Sequence, residues 1–181
     1  MRATGIVRRI DELGRIVIPK EIRRTLRIRE GDPLEIYTNS EGAILLKKYS
    51  PIGDITGFAR QYAQSIAQIT GSYVVITDRD QIVAIAGGVK KEYLGKRVSK
   101  ELEEIMKNRV SVNSQKKDKE IEIVEGEQTL GFQQIIHPIL CDSEIIGSIM
   151  LATKYSENSI TEVENKIASV AAVFLGRQLE A

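Results

Sequence analysis

Eight arginines stand within the first 29 residues: Arg2, Arg8, Arg9, Arg15, Arg23, Arg24, Arg27 and Arg29. A guanidinium is a rigid, planar fork of donors that matches phosphate oxygens and guanine edges, whereas an ammonium is a point charge. With Lys20, this stretch holds nine basic against three acidic side chains, a net of +6. Residues 1–50 carry a net of +4 and the remainder −3, so the formal charge of +1 for all 181 residues hides a strong polarity. A basic segment joined to a mildly acidic one points to a nucleic-acid module carrying a second function. Residues 1–36 contain no Phe, Trp or Tyr, so they offer no stacking platform for single-stranded bases. Duplex DNA, held by phosphate contacts with some Arg readout of base edges or groove shape, is the expected partner.

Other chemistries have little support. A single Cys excludes an intrachain disulfide, and with a single His it excludes the usual zinc clusters. His137 lies between Ile136 and Pro138 in an apolar run and is expected to be packed or hydrogen-bonded. Cys141 is a lone thiol near a strand end, with no redox partner. Gly87-Gly88 and Gly95-Lys96 lack the spacing of a phosphate-binding loop and read as turns. Nothing places two of the carboxylates Asp78, Asp80 and Glu92 together as an acid/base pair, and Lys116 to Glu120 reads as a solvated loop. No catalytic residue, metal or cofactor is expected. No apolar run approaches the roughly 18 residues of a membrane span. The first ten residues lack a signal-type apolar core, so the expectation is a soluble cytoplasmic protein away from membranes.

The elements that must position the arginines are short. Gly5–Ile10 and Arg15–Ile18 are predicted strands around an Asp11–Gly14 loop. Pro19 stands at the start of a predicted helix with Glu21 in its first turn. Ile22 and Leu26, four apart, form its apolar stripe, leaving Arg23, Arg24 and Arg27 off that stripe. Leu34–Tyr37 and Ala43–Leu46 are predicted to form a hairpin across Asn39–Gly42. Fifty residues without a disulfide or metal bury too little surface to be comfortable alone, so an obligate dimer sharing its core is expected.

From Pro51 the pattern coarsens. Ile52, Ile55, Ala59, Tyr62, Ala63, Ile66 and Ile69 recur at helical spacing up to Gly71. Strands are predicted at Tyr73–Ile76, Ile82–Ile85, Ile121–Val124, Phe132–Leu140 and Ile145–Ala152, with Ser99 capping a short helix through Met106. The last helix is predicted to open on a capping box at Ser159–Glu162. Its residues Ile160, Val163, Ile167, Val170 and Phe174 form a coiled-coil or bundle seam, expected to pack on the first long helix or on another subunit. The fold class expected is α+β, with domains at 1–50 and 51–181.

The run Thr4–Pro19, continuing as Glu21–Leu26, closely resembles the AbrB-type transition-state regulators, and Leu34–Tyr37 with Leu46–Tyr49 fits the same pattern. The resemblance implies a swapped-hairpin β-barrel dimer that binds double-stranded DNA through Arg8, Arg9, Arg15, Arg23 and Arg24. Adjacent strand residues face opposite sides, so Arg8 and Arg9 cannot both point one way. Lys20, Lys47 and Lys48 are further candidates for DNA contact. Lys20 stands where an apolar residue is common and Arg27 where a glycine is common, and both add positive charge. By architecture the second half resembles a GAF-type sensor domain, an α/β fold that senses a small molecule or sets oligomeric state. The whole chain resembles sporulation regulators of this two-domain build. That resemblance implies activation and repression of late, forespore-expressed genes by a homotetramer. The alternative is an antitoxin-like head whose C-terminal domain binds a protein partner.

Overall fold

Between Asp11 and Arg15 the chain turns back on itself through Gly14, whose φ of 76° suits a residue without a side chain. This computed structural model describes residues 4–114, 120–127, 131–155 and 159–180. It divides into two units, Met1–Tyr49 and Ser50–Ala181.

In the first unit α1 (Lys20–Leu26) starts after Pro19, which occupies the N-cap, and ends on Arg27 in the left-handed region at φ 52°. There the Arg27 N–H bonds back to the carbonyls of Arg23 and Arg24, which closes the helix. β1 (Leu34–Thr38) and β2 (Ile44–Lys48) pair antiparallel, with Ile36 opposite Leu46 and Thr38 opposite Ile44. The Asn39 side chain accepts from the backbone of Ala43 at 2.8 Å and of Glu41 at 3.2 Å, which shapes the turn.

The expected strands Gly5–Ile10 and Arg15–Ile18 are not strands in the single chain. Only the loop joins them, through Asp11 N–H to Arg15 C=O at 3.0 Å and Gly14 N–H to Asp11 C=O at 3.0 Å. The physical reason is apolar surface left in water. Val7 is 85% exposed, Ile10 65%, and Ile36 and Ile44 67% each. Pro19 is the one buried residue among those described in this unit. A two-stranded ribbon with no face to pack against is marginal in water.

The second unit is a five-stranded antiparallel sheet in the order β4-β3-β7-β6-β5. Its strands are β3 (Tyr73–Asp78), β4 (Ile82–Ala86), β5 (Val112–Ser114), β6 (Phe132–Cys141) and β7 (Glu144–Lys154). One face carries α3 (Thr56–Thr70) and α5 (Glu162–Arg177), with Ile76, Ile135, Ile149 and Leu151 in the core beneath. The other carries α4 (Lys100–Asn108) and the segment 121–124 over Val75, Ile136 and Met150. The predicted long first helix is broken at Ile55 into α2 (Pro51–Asp54) and α3, and Gly71 ends it as expected. Ser50 caps α2, accepting from Gly53 N–H at 3.2 Å, and donates to buried Asp78 at 2.9 Å.

Three sequence readings need correction. Ile121–Val124 is buried but is no strand, because the Gln134 side chain takes the Ile121 N–H at 2.6 Å and gives to its C=O at 2.9 Å. The capping box sits two residues later than read. Ile160 is buried with its N–H on Gln133, so Thr161 becomes the cap and Glu164 returns to the Thr161 N–H at 2.8 Å. Finally, α5 meets the sheet with its small residues Ala168, Ala171, Ala172 and Gly176 and with Leu175, while Val163 and Val170 of the predicted seam face solvent. Phe174 of that seam meets the first long helix, with its ring 5.4 Å from Tyr62 and 5.8 Å from Phe58, while Ile160 and Ile167 join the core cluster that α3 also lines. Of the polar loop read at Lys116–Glu120, residues 116–119 lie outside the described residues.

Candidate nucleic-acid interface

All five arginines singled out from the sequence, Arg8, Arg9, Arg15, Arg23 and Arg24, are exposed, as is Lys20. Arg23 and Arg24 occupy the last turn of α1, where the helix dipole favours cations. Neither spends its charge on a neighbouring carboxylate in the helix, whose one acidic residue, Glu21, stands in the first turn. Arg8 donates to the Val7 carbonyl at 3.2 Å.

Arg15 is held differently. The Asp11 carboxylate accepts from the backbone N–H of Leu13 at 3.0 Å and of Arg15 at 2.8 Å through Oδ1. Its Oδ2 accepts from Arg15 Nε at 2.8 Å. The Arg15 backbone and guanidinium together hold the Asp11 carboxyl below the usual carboxylate range. The Arg15 side chain nevertheless stays 72% exposed. Sequence reasoning passed over Asp11, although an Asp three residues ahead of a loop glycine is the pattern of a side chain that closes its own turn.

The two strand-end lysines separate. Lys47 is exposed, whereas the Lys48 ammonium donates to the Arg27 carbonyl at 3.0 Å and pairs with Asp32 at 3.3 Å. The Asp32 side chain is 2% exposed and also accepts from Arg29 N–H at 2.8 Å. Lys48 is therefore tied into the unit that presents the arginines, beside the left-handed Arg27.

In the second unit the groups with chemical potential are engaged with one another. His137 Nδ1 lies 3.0 Å from Ser111 Oγ and Nε2 lies 2.9 Å from Asn165 Oδ1. With Nε2 donating to the amide oxygen and Nδ1 accepting from the serine, neutral imidazole satisfies both. Tyr93 lies under Lys90 and Lys96, 5.6 and 5.2 Å from its ring centroid, and Lys96 pairs with Glu127. A hydrogen bond to Glu127, helped by burial and by the Glu127 and Glu92 charges, pushes the Tyr93 phenol up to about 12. Burial, then the charges of Asp142, Glu180 and Glu144, pushes the Cys141 thiol up and away from the reactive thiolate. Among the described residues no cluster of His, Cys, Asp and Glu could hold a metal ion, and no helix is long and apolar enough to cross a membrane.

Comparison with known proteins places both units. Residues 54–180 match the family described as "Stage V sporulation protein T C-terminal, transcription factor". Residues 7–54 match "Antidote-toxin recognition MazE, bacterial antitoxin". Stage V sporulation protein T of Bacillus subtilis (strain 168) is 47% identical over 180 residues, spanning 99% of each chain. The transition state regulatory protein AbrB of the same organism is 65% identical over 51 residues, 28% of this chain and 52% of AbrB. Among solved structures, the cofactor-binding GAF domain of the nutrient sensor CodY from Clostridium difficile has a TM-score of 0.54. It is 18% identical and covers 66% of this chain and 83% of its own, a likeness of fold alone. An AbrB-like head, a GAF-like second domain and a near full-length match to one relative agree: the chain belongs to the stage V sporulation protein T family of sporulation transcription factors.

Proposed function

We propose that the protein regulates sporulation genes by binding duplex DNA with a dimeric head, the contacts made by Arg8, Arg9, Arg15, Arg23 and Arg24. The observation that carries this is the pairing of exposed guanidinium groups with an apolar hairpin face that the single chain leaves uncovered. Two chains that exchange hairpins cover that face, supply the ladder missing at 5–18, and present two sets of these arginines to one duplex. Lys20 and Lys47 add charge at the periphery, while Lys48 acts on the head's own structure.

The GAF-like domain is assigned to sensing a small molecule or to setting oligomeric state. The second role is supported by the outward face of α5, where Val163, Val170 and Val173 are exposed, and by the cluster of Phe58, Tyr62 and Phe174 rings between α3 and α5. Such a stripe suits a helical bundle between subunits and hence a homotetramer. Catalysis is not assigned to this domain, since His137 and Tyr93 are held by neighbours and burial pushes the Cys141 thiol up, away from the reactive thiolate. The antitoxin reading, which the match over residues 7–54 alone would favour, loses to the near full-length relationship and to the folded second domain. Action in the forespore cytoplasm follows from the family resemblance.

A competition titration of one sequence as duplex and as single strand tests the proposal. The protein is expected to prefer duplex by about tenfold or more, having no aromatic platform for unstacked bases in its basic segment. Arg24→Ala, removing one contact per chain, is expected to weaken duplex binding by roughly tenfold or more. Preference for the single strand, or indifference to Arg24→Ala, would overturn it.

A further inference from the structure

The loop that carries Arg15 holds a carboxylate where a DNA-binding surface has least use for one. Asp11 lies four residues from Arg15, in a segment whose partner is polyanionic, and its charge can only repel phosphate. What it does geometrically is specific. Oδ1 takes the backbone N–H of Leu13 and of Arg15, and Oδ2 takes Arg15 Nε. The Asp11 backbone closes the same loop, through its N–H to Arg15 and its C=O from Gly14. One residue thus sets both the turn and the direction of the Arg15 side chain.

A guanidinium held at Nε keeps its outer, two-pronged edge of terminal N–H groups free. That edge is the one that pairs with O6 and N7 of guanine, and an Arg free to swing would serve any nearby phosphate instead. We infer that Asp11 is a specificity-determining positioning residue, which anchors Arg15 for readout of a base edge and penalises its use as a general phosphate contact. The inference rests on the DNA-binding reading above. It accounts for an acidic side chain in the basic segment through discrimination, where a repulsive element counts as much as an attractive one.

The test uses the full-length protein, a duplex that it selects from a random pool, and a scrambled duplex of equal length. Asp11→Asn keeps an acceptor oxygen for the loop amides and loses the anionic partner of Arg15 Nε. Its selected-to-scrambled affinity ratio is expected to fall roughly tenfold, the usual scale for one good base contact, with scrambled binding unchanged or tighter. Thermal unfolding should match the wild type, and in an Arg15→Ala background Asp11→Asn should leave the ratio unchanged, as two residues acting through one contact require. A wild-type ratio for Asp11→Asn would overturn the inference, as would an equal fall in the Arg15→Ala background. A pool that yields no preferred duplex overturns it as well, while absence of any duplex binding by the wild type overturns the DNA-binding reading beneath it.

Discussion

Ile36→Asp is expected to halve the particle mass in light scattering and to lower duplex affinity by at least a hundredfold. Ile36, Leu46 and Ile44 lie on one face of the β1–β2 hairpin, and Ile36 is 67% exposed in the single chain. Burying a whole Ile side chain stabilises by about 1.5–3 kcal/mol, so the two-thirds still exposed contributes roughly 1–2 kcal/mol per chain. Two symmetry-related copies contribute about 2–4 kcal/mol to a head dimer, and a carboxylate in their place adds several kcal/mol of desolvation. Together these exceed about 4 kcal/mol, a factor of roughly a thousand in the dimer equilibrium. DNA affinity follows because separated heads no longer bring two sets of arginines to one duplex. Glu41→Ala, in the exposed turn of the same hairpin, should change neither quantity. An Ile36→Asp protein with unchanged mass and affinity would show that this face is not the subunit core.

The second large effect concerns the GAF-like domain. Gly176 is buried on α5, and a Cβ built there runs far inside van der Waals contact with the Leu140 carbonyl of β6. Backbone on both sides leaves nothing flexible to give way, so Gly176→Ala must lift α5 from the sheet. Overpacking of a close core typically costs about 1–3 kcal/mol and occasionally more, and a rigid carbonyl places this site at the upper end. A fall in Tm of about 10 °C is expected for a domain of this size. Gly57→Ala supplies the contrast within the same domain. Gly57 is helical and nothing lies within 4 Å of its would-be Cβ. The same substitution there should stabilise by roughly 0.5–1 kcal/mol, as Gly to Ala in an unobstructed helix does. Calorimetry on both variants checks the pair, and equal shifts would contradict the close α5–β6 approach.

These two sites also show what the sequence could and could not say. Where a local signal carries the structure, the sequence was legible. Asn39 shapes the hairpin, Gly71 ends α3 in the left-handed region, and Ser99 caps α4 with its hydroxyl on the Leu102 N–H. Where a distant residue decides, it was not. Ile121–Val124 reads as a strand by its apolar alternation, yet the Gln134 side chain takes both backbone groups of Ile121 and the Ser99 N–H donates to the Ile123 carbonyl, so no ladder forms. The α5 seam reads as a bundle face by its 3-4 spacing, and Ile160, Ile167 and Phe174 do join the first long helix. The small-residue face that meets the sheet was not legible, because it depends on Gly176 permitting a close approach to β6. The strands read at Gly5–Ile10 and Arg15–Ile18 are absent from the single chain, where nothing covers their apolar residues.

The candidate site followed the same division. Exposure of Arg8, Arg9, Arg15, Arg23 and Arg24 agrees with their charge and spacing, while the division of labour between Lys47 and Lys48 depended on the covered side chain of Asp32, sixteen residues from Lys48. Asp11 was missed because its use lies in hydrogen-bond direction, to Leu13 and Arg15, which neither charge nor spacing reveals.

The central claim is that the exposed arginines neutralise DNA phosphates from an assembled pair of heads. The most direct measurement is the salt dependence of duplex affinity for the intact protein and for Arg23→Ala, with light scattering on the same samples. With six to ten phosphates engaged, affinity should fall by roughly 10³- to 10⁵-fold between about 50 and 200 mM salt. Arg23→Ala removes one contact from each of two chains and should reduce the logarithmic slope by about 2. A shallow slope that Arg23→Ala leaves unchanged would contradict the account, because the basic face would then be solvated surface rather than the partner of a duplex.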